Sequence, residues 1–130
     1  MFKISARNQL KGTICAVREG AVNGVVTIDL GSSKVKADIT MDAIRELDLC
    51  EGKEAVAIIK ATNVMFAPGD ESLTISARNQ FAGTITSVKK GAVNGHVRLT
   101  TPDGSVISGS ITNEAIESLG LAEGQPGIAI

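Results

Sequence analysis

The sequence predicts an all-β protein with one short helix per repeat. It is built as two tandem five-stranded barrels, the second lacking its last strand in sequence. Three observations carry this. A long stretch occurs twice, most segments within each copy alternate apolar and polar residues, and one segment per copy has helical spacing instead. "ISARNQ" stands at Ile4–Gln9 and again at Ile75–Gln80, 71 residues apart. The match runs ungapped from Ile4–Val26 onto Ile75–Val97, with 16 of 23 positions identical. After one inserted residue near Pro102, "ITMDAIRELDLCEG" (Ile39–Gly52) matches "ITNEAIESLGLAEG" (Ile111–Gly124). A long period present twice indicates two copies of a domain and not a solenoid of short units. The expected limits are 1–67 for the first repeat, 72–130 for the second and 68–71 for the linker.

The elements follow in chain order. "GAVNG" reads as a turn, with Asn23 and Gly24 suited to positive φ. In "VVTIDL", Val26, Ile28 and Leu30 alternate with Thr27 and Asp29; in "SKVKADI", Val35, Ala37 and Ile39 alternate with lysines and Asp38. Period-two alternation marks strands with one wet face, and Gly31-Ser32-Ser33 between them reads as a hairpin turn. Met41, Ile44 and Leu47 then recur at helical spacing, with Thr40 as N-cap and Asp42 in the first turn, where the helix dipole favours an acid. Thr112 and Glu114 repeat that arrangement. "AVAII" (Ala55–Ile59) is apolar throughout, so the strand is expected to be covered on both faces. About five strands and a helix per repeat fit a small barrel of the oligonucleotide/oligosaccharide-binding type, since closure removes exposed edges.

Composition narrows the partners. Each half alone buries too little surface to be robust, so partner chains or packing between halves should supply the difference. The formal net charge is −1, which gives no general pull toward nucleic acid or anionic lipid. Trp and Tyr are absent and only Phe2, Phe66 and Phe81 are aromatic, whereas single-strand binders stack bases on aromatics. Cys15 and Cys50 have no cysteine counterparts in the second repeat, so buried free thiols are expected rather than a disulfide or metal pair. No apolar run is long enough for a signal peptide or a membrane span. These features predict a cytoplasmic protein with no nucleic-acid and no membrane partner.

Catalysis is not expected: His96, the one histidine, stands where the first repeat has Val25, and no nucleophile elbow or phosphate loop is present. Anion binding fits better. Arg7 is permanently charged with a planar fork of donors. Ser5, two residues away, lies on the same side of a strand. Thr40 caps a helix whose free N–H groups suit an anion, and Lys60 can add a second charge. This is a donor-only cage, favouring a fully deprotonated oxyanion over a phosphate ester that keeps a proton. Each residue alone has a plainer reading: Arg7 and Arg78 as exposed arginines or partners of Asp38 or Glu51, Lys60 as a strand-end lysine reaching for water, Thr40 as an ordinary cap.

"SARNQ", "GTI", "GAVNG", "IT" before the helix and "EGKEAVAIIKATNVM" together resemble the molbindin (Mop) family of molybdate/tungstate-binding proteins, as two Mop units in tandem. The resemblance covers essentially the whole chain. It implies an oxyanion site from Ser5, Arg7, Lys60 and the Ala61 backbone N–H of one unit, completed by Thr40 of a neighbouring unit. Where the family often has a further hydroxyl, Ala43 and Ala115 stand here, so that hydrogen bond is missing or supplied by backbone. Ser76, Arg78 and Thr112 match in the second repeat. Ile130 aligns with Ile58, so the second repeat has no counterpart of Lys60. A second site type near a threefold axis makes Asn23 and Asn94 candidates, with simple turn asparagines as the alternative. The resemblance also implies a homo-oligomer, a trimer of two-domain chains, with molybdate or tungstate as ligand, no cofactor and no metal held directly by protein side chains. The implied role is cytoplasmic storage. The rivals are a sensing module for a transporter or transcription regulator, and an oligonucleotide-binding barrel.

Overall fold

The computed structural model describes residues 2–130; Met1, the first residue of the expected first repeat, lies outside the described residues. The chain forms two curled sheets with a few short helices. It divides into two compact units, one of Leu10–Ala57 and one of the residues up to Gln9 together with Ile58–Ile130.

In the unit of Leu10–Ala57 the elements are β1 (Asn8–Arg18), β2 (Asn23–Asp29), β3 (Lys34–Thr40), α1 (Met41–Glu46) and β4 (Glu54–Ile59). The sheet order is β3-β2-β1-β4. The β2–β3 hairpin turns at Gly31 (φ 117°), closed by Leu30 N–H donating to Ser33 O at 2.9 Å. Leu10, Ile14, Val26, Ile28, Val35, Met41 and Ile44 form the core. Four expectations need correction. Thr27 is buried, because β2 is an inner strand, flanked by β3 and β1, and Thr27 stands at its middle. Leu47 is 60 % exposed, because α1 ends at Glu46 and leaves it outside the apolar stripe. Gly24 is needed for close approach and not for positive φ: a Cβ there would lie 2.7 Å from Ile44 Cδ1 and 2.9 Å from Arg18 O. The β4 residues are half-buried or exposed within the chain, because β4 is an edge strand.

The cysteines are free, as expected, but exposed rather than buried. Cys15 follows the buried Ile14 and so points to the opposite face of the strand, and the β1–β2 register shifts there, between Ile14 and Ala16, leaving Cys15 as the bulged residue. The second repeat has the same bulge between Ile85 and Ser87.

The other unit holds a 3₁₀ turn (Ala61–Asn63), then β5 (Phe66–Pro68), β6 (Phe81–Lys90), β7 (Asn94–Thr100), β8 (Val106–Thr112), α2 (Asn113–Leu119) and β9 (Pro126–Ala129). The sheet order is β5-β9-β6-β7-β8. The segment after β4 therefore joins the second repeat's sheet. Phe66 pairs with Ala129, and Met65 and Ile130 exchange two backbone hydrogen bonds of 3.0 and 2.8 Å. The "FAPGDE" stretch (Phe66–Glu71), whose last four residues are the expected linker, is thus partly strand, with Pro68 in β5. Gly109 admits this packing: a Cβ there would collide with the Phe66 ring and sit 3.2 Å from Val64 Cβ. α2 ends on Gly120 in the left-handed conformation (φ 64°), with Leu121 N–H donating to Ile116 O.

Candidate oxyanion-binding site

The repeated motif is held in place by its two amides. Gln9 Oε1 accepts from the Phe2 N–H and its Nε2 donates to the Phe2 carbonyl, both at 2.9 Å. Gln80 does the same to Leu73, at 2.7 and 2.9 Å. Asn8 makes an equivalent pair with β8: its Nδ2 donates to Ser108 O at 2.8 Å and its Oδ1 accepts from Ser108 N–H at 2.6 Å. Because β8 is the end strand of its sheet, this side chain stands in for a neighbouring strand. Asn8 is only 1 % exposed. Sequence reasoning missed this role; the signal was the repeated pairing of the arginine with two amides.

Alternation around that clamp puts Ala6 and Asn8 inside and Ser5 and Arg7 outside. The Arg7 guanidinium donates to the Ile4 carbonyl at 2.9 Å, which fixes its direction. Ser76 and Arg78 are likewise exposed. Among the described residues the ion pairs are Lys11–Glu54, Asp42–Arg45 and Lys90–Glu117, so Arg7, Arg78 and Lys60 are not neutralised by a carboxylate.

Lys60 is exposed and precedes the 3₁₀ turn that begins at Ala61. That turn packs against β8, the strand Asn8 clamps. Lys60, Ala61 and the Ser5–Arg7 motif are thereby gathered into one compact unit around β8, together with Ser76, Arg78 and Thr112.

Thr40 and Thr112 are N-caps as expected. Each hydroxyl oxygen accepts a 3.1 Å hydrogen bond from the N–H three residues on, Ala43 and Ala115 respectively. Those two N–H groups are therefore engaged, while each threonine hydroxyl keeps its own proton to donate. Cross-strand register puts Asn23 opposite Thr40 and Asn94 opposite Thr112, so each asparagine lies beside a cap. Among the described residues no cluster of His, Cys, Asp or Glu has the geometry to hold a metal ion, and no helix is long and apolar enough to cross a membrane.

The TOBE domain model matches residues 4–66 and again 75–129. The chain belongs to the TOBE domain family. Its two TOBE repeats are 41 % identical over 130 residues to the molybdenum transport protein ModE of Herbaspirillum seropedicae, covering 99 % of this chain and 48 % of that protein. The chain thus spans about half the length of the longer curated relatives it matches. A probable molybdenum-pterin-binding protein of Haemophilus influenzae is 53 % identical over 65 residues, 49 % of this chain and 94 % of that one. Among solved structures, the cytoplasmic molybdate-binding protein ModG, with molybdate bound, superposes with a TM-score of 0.93. It is 43 % identical, and the match covers 98 % of this chain and 92 % of that one.

Proposed function

We propose that this chain binds molybdate or tungstate and serves as a cytoplasmic store for it. The binding groups are Ser5, Arg7, Lys60 and the Ala61 N–H, with Thr40 donated by a neighbouring copy; Ser76, Arg78 and Thr112 form the counterpart. The protein is a binder and not an enzyme. The observation that carries this reading is the duplicated motif itself: an exposed, unneutralised arginine oriented by flanking amide clamps. A pre-set fork of N–H donors suits a tetrahedral dianion. The ModG likeness over nearly the whole chain supports the same ligand. In this reading three chains assemble, because Thr40 reaches the Arg7 cage from a neighbour. Titration calorimetry with molybdate in excess sulfate, with light scattering for the assembled mass, tests it.

The match to half of a molybdenum transport protein ModE favours a second reading, a molybdate-sensing module. Hydrogen exchange separates the two. A store loads with little change in backbone protection away from the site, whereas a sensor changes protection on a distant surface.

A further inference from the structure

Arg7 shares a cleft with Ser87, Lys89, His96 and Arg98. Its guanidinium engages one donor with the Ile4 carbonyl and has others left for a ligand. Ser87 pairs with Arg98 and Lys89 with His96 across β6 and β7, so these four residues stand on one face of the sheet. Val97 and Leu99, which alternate with them along β7, are fully buried on the other face. On the reading that the Arg7 motif binds molybdate or tungstate, we infer that Lys89 and Arg98 are its steering residues. They draw the dianion into the cleft and speed its loading without ligating it once bound.

The chain has 14 acids against 13 lysines and arginines, yet Arg7, Lys89 and Arg98 line this cleft and no acid does. None of the three is in an ion pair among the described residues, whereas Lys90, next along β6, is held by Glu117 at 3.1 Å. Lys89 and Arg98 are diagonal neighbours on one face, where like charges repel and an arriving dianion relieves the repulsion. Behind them the wall is apolar. A cleft of one sign against a low-dielectric wall focuses its field toward solvent and raises the rate of encounter. Both side chains are exposed, which suits attraction at a distance better than a fixed place around the bound ion. At the positions matching Ser87, Lys89, His96 and Arg98 the first repeat has Ala16, Arg18, Val25 and Thr27, so a sheet of this kind forms with threonine in place of Arg98. A unit charge about 8 Å from a dianion in water speeds encounter roughly three- to fivefold at low ionic strength and only about twofold at physiological salt.

The test compares Arg98→Thr, Lys89→Ala and the double variant with the unmodified full chain. Each is also made with Arg78→Ala, so that the Arg7 motif is read without its counterpart. Calorimetry with molybdate gives the affinity, and a chase of bound radioactive molybdate gives the release rate. Together they give the loading rate, at ionic strengths of about 0.01 M and about 0.5 M. The expected result is loading about three- to fivefold slower in each single variant at low salt, and slower again in the double variant. At high salt all should load within about twofold of the unmodified chain. Release rate and melting temperature stay unchanged. Lys34→Ala removes an exposed cation outside the cleft and is expected to slow loading less than either single variant. Lys89→Ala serves alone if Arg98→Thr does not fold. The inference is overturned if the variants load as fast as the unmodified chain at low salt, or if Lys34→Ala slows loading as much. It is also overturned if the loss lies in the release rate, which would make Lys89 and Arg98 ligands of the bound ion. A chain that takes up no molybdate at all removes the binding reading and the steering with it. Uptake without the salt-dependent loss removes the steering alone.

Discussion

Asn8→Ala is the most informative single perturbation of the motif. The wild-type amide makes hydrogen bonds of 2.8 and 2.6 Å to both backbone groups of Ser108 and is 1 % exposed. Alanine removes both bonds, each a net contribution of about 0.5–1.5 kcal/mol. It also leaves an N–H and a C=O on the β8 edge without protein partners, at about 1–3 kcal/mol each if water is kept out. Ser108 is only half-buried, so water recovers much of that second term. The balance is a loss of about 2–4 kcal/mol. At roughly 3 °C per kcal/mol for a chain of this size, the melting temperature should fall by about 6–12 °C. Asn8→Asp should recover little, since it keeps the acceptor for Ser108 N–H but sets a carboxylate oxygen against the Ser108 carbonyl. Urea and thermal melts read the stability, and molybdate titration reads the second consequence, weaker binding once Arg7 loses its anchor. Melting within about 2 °C of wild type would refute the idea that the amide substitutes for a strand.

Other expectations follow from the same geometry. Arg7→Lys and Arg78→Lys keep the charge but lose the fork, and each should weaken molybdate binding by more than the 0–1 kcal/mol typical of an exposed ion pair; calorimetry checks this. Lys60→Ala should weaken molybdate binding at least about tenfold, because it removes a full positive charge and its charge-assisted hydrogen bond from the proposed cage; the same titration reads it. Gly109→Ala should destabilise by about 1–3 kcal/mol, since its Cβ collides with the Phe66 ring; hydrogen exchange should show the Met65–Ala67 amides losing protection first.

Much of this was legible in the sequence for physical reasons. The two repeats, the β2–β3 hairpin and the Thr40 and Thr112 caps all rest on local patterns of alternation, turn residues and capping. What was not legible depends on pairings distant in sequence. Nothing local in "FAPGDE" says that Phe66 pairs with Ala129. The single-residue bulge at Cys15 shifts the register of β1 on β2, and nothing local in the sequence marks it. Gly24 looked like a turn glycine, yet its absent side chain makes room for Ile44 and the Arg18 carbonyl. In the site, Arg7 and Ser5 stood out by charge and spacing. Asn8 did not, because a buried amide and a surface amide look alike until the opposing strand is known.

The most direct test of the central claim is a calorimetric titration of the purified chain with molybdate in a large excess of sulfate. The account predicts saturable molybdate binding that sulfate does not displace and that Arg7→Lys weakens. Sulfate competing on equal terms, or affinity indifferent to both Arg7→Lys and Arg78→Lys, would contradict it.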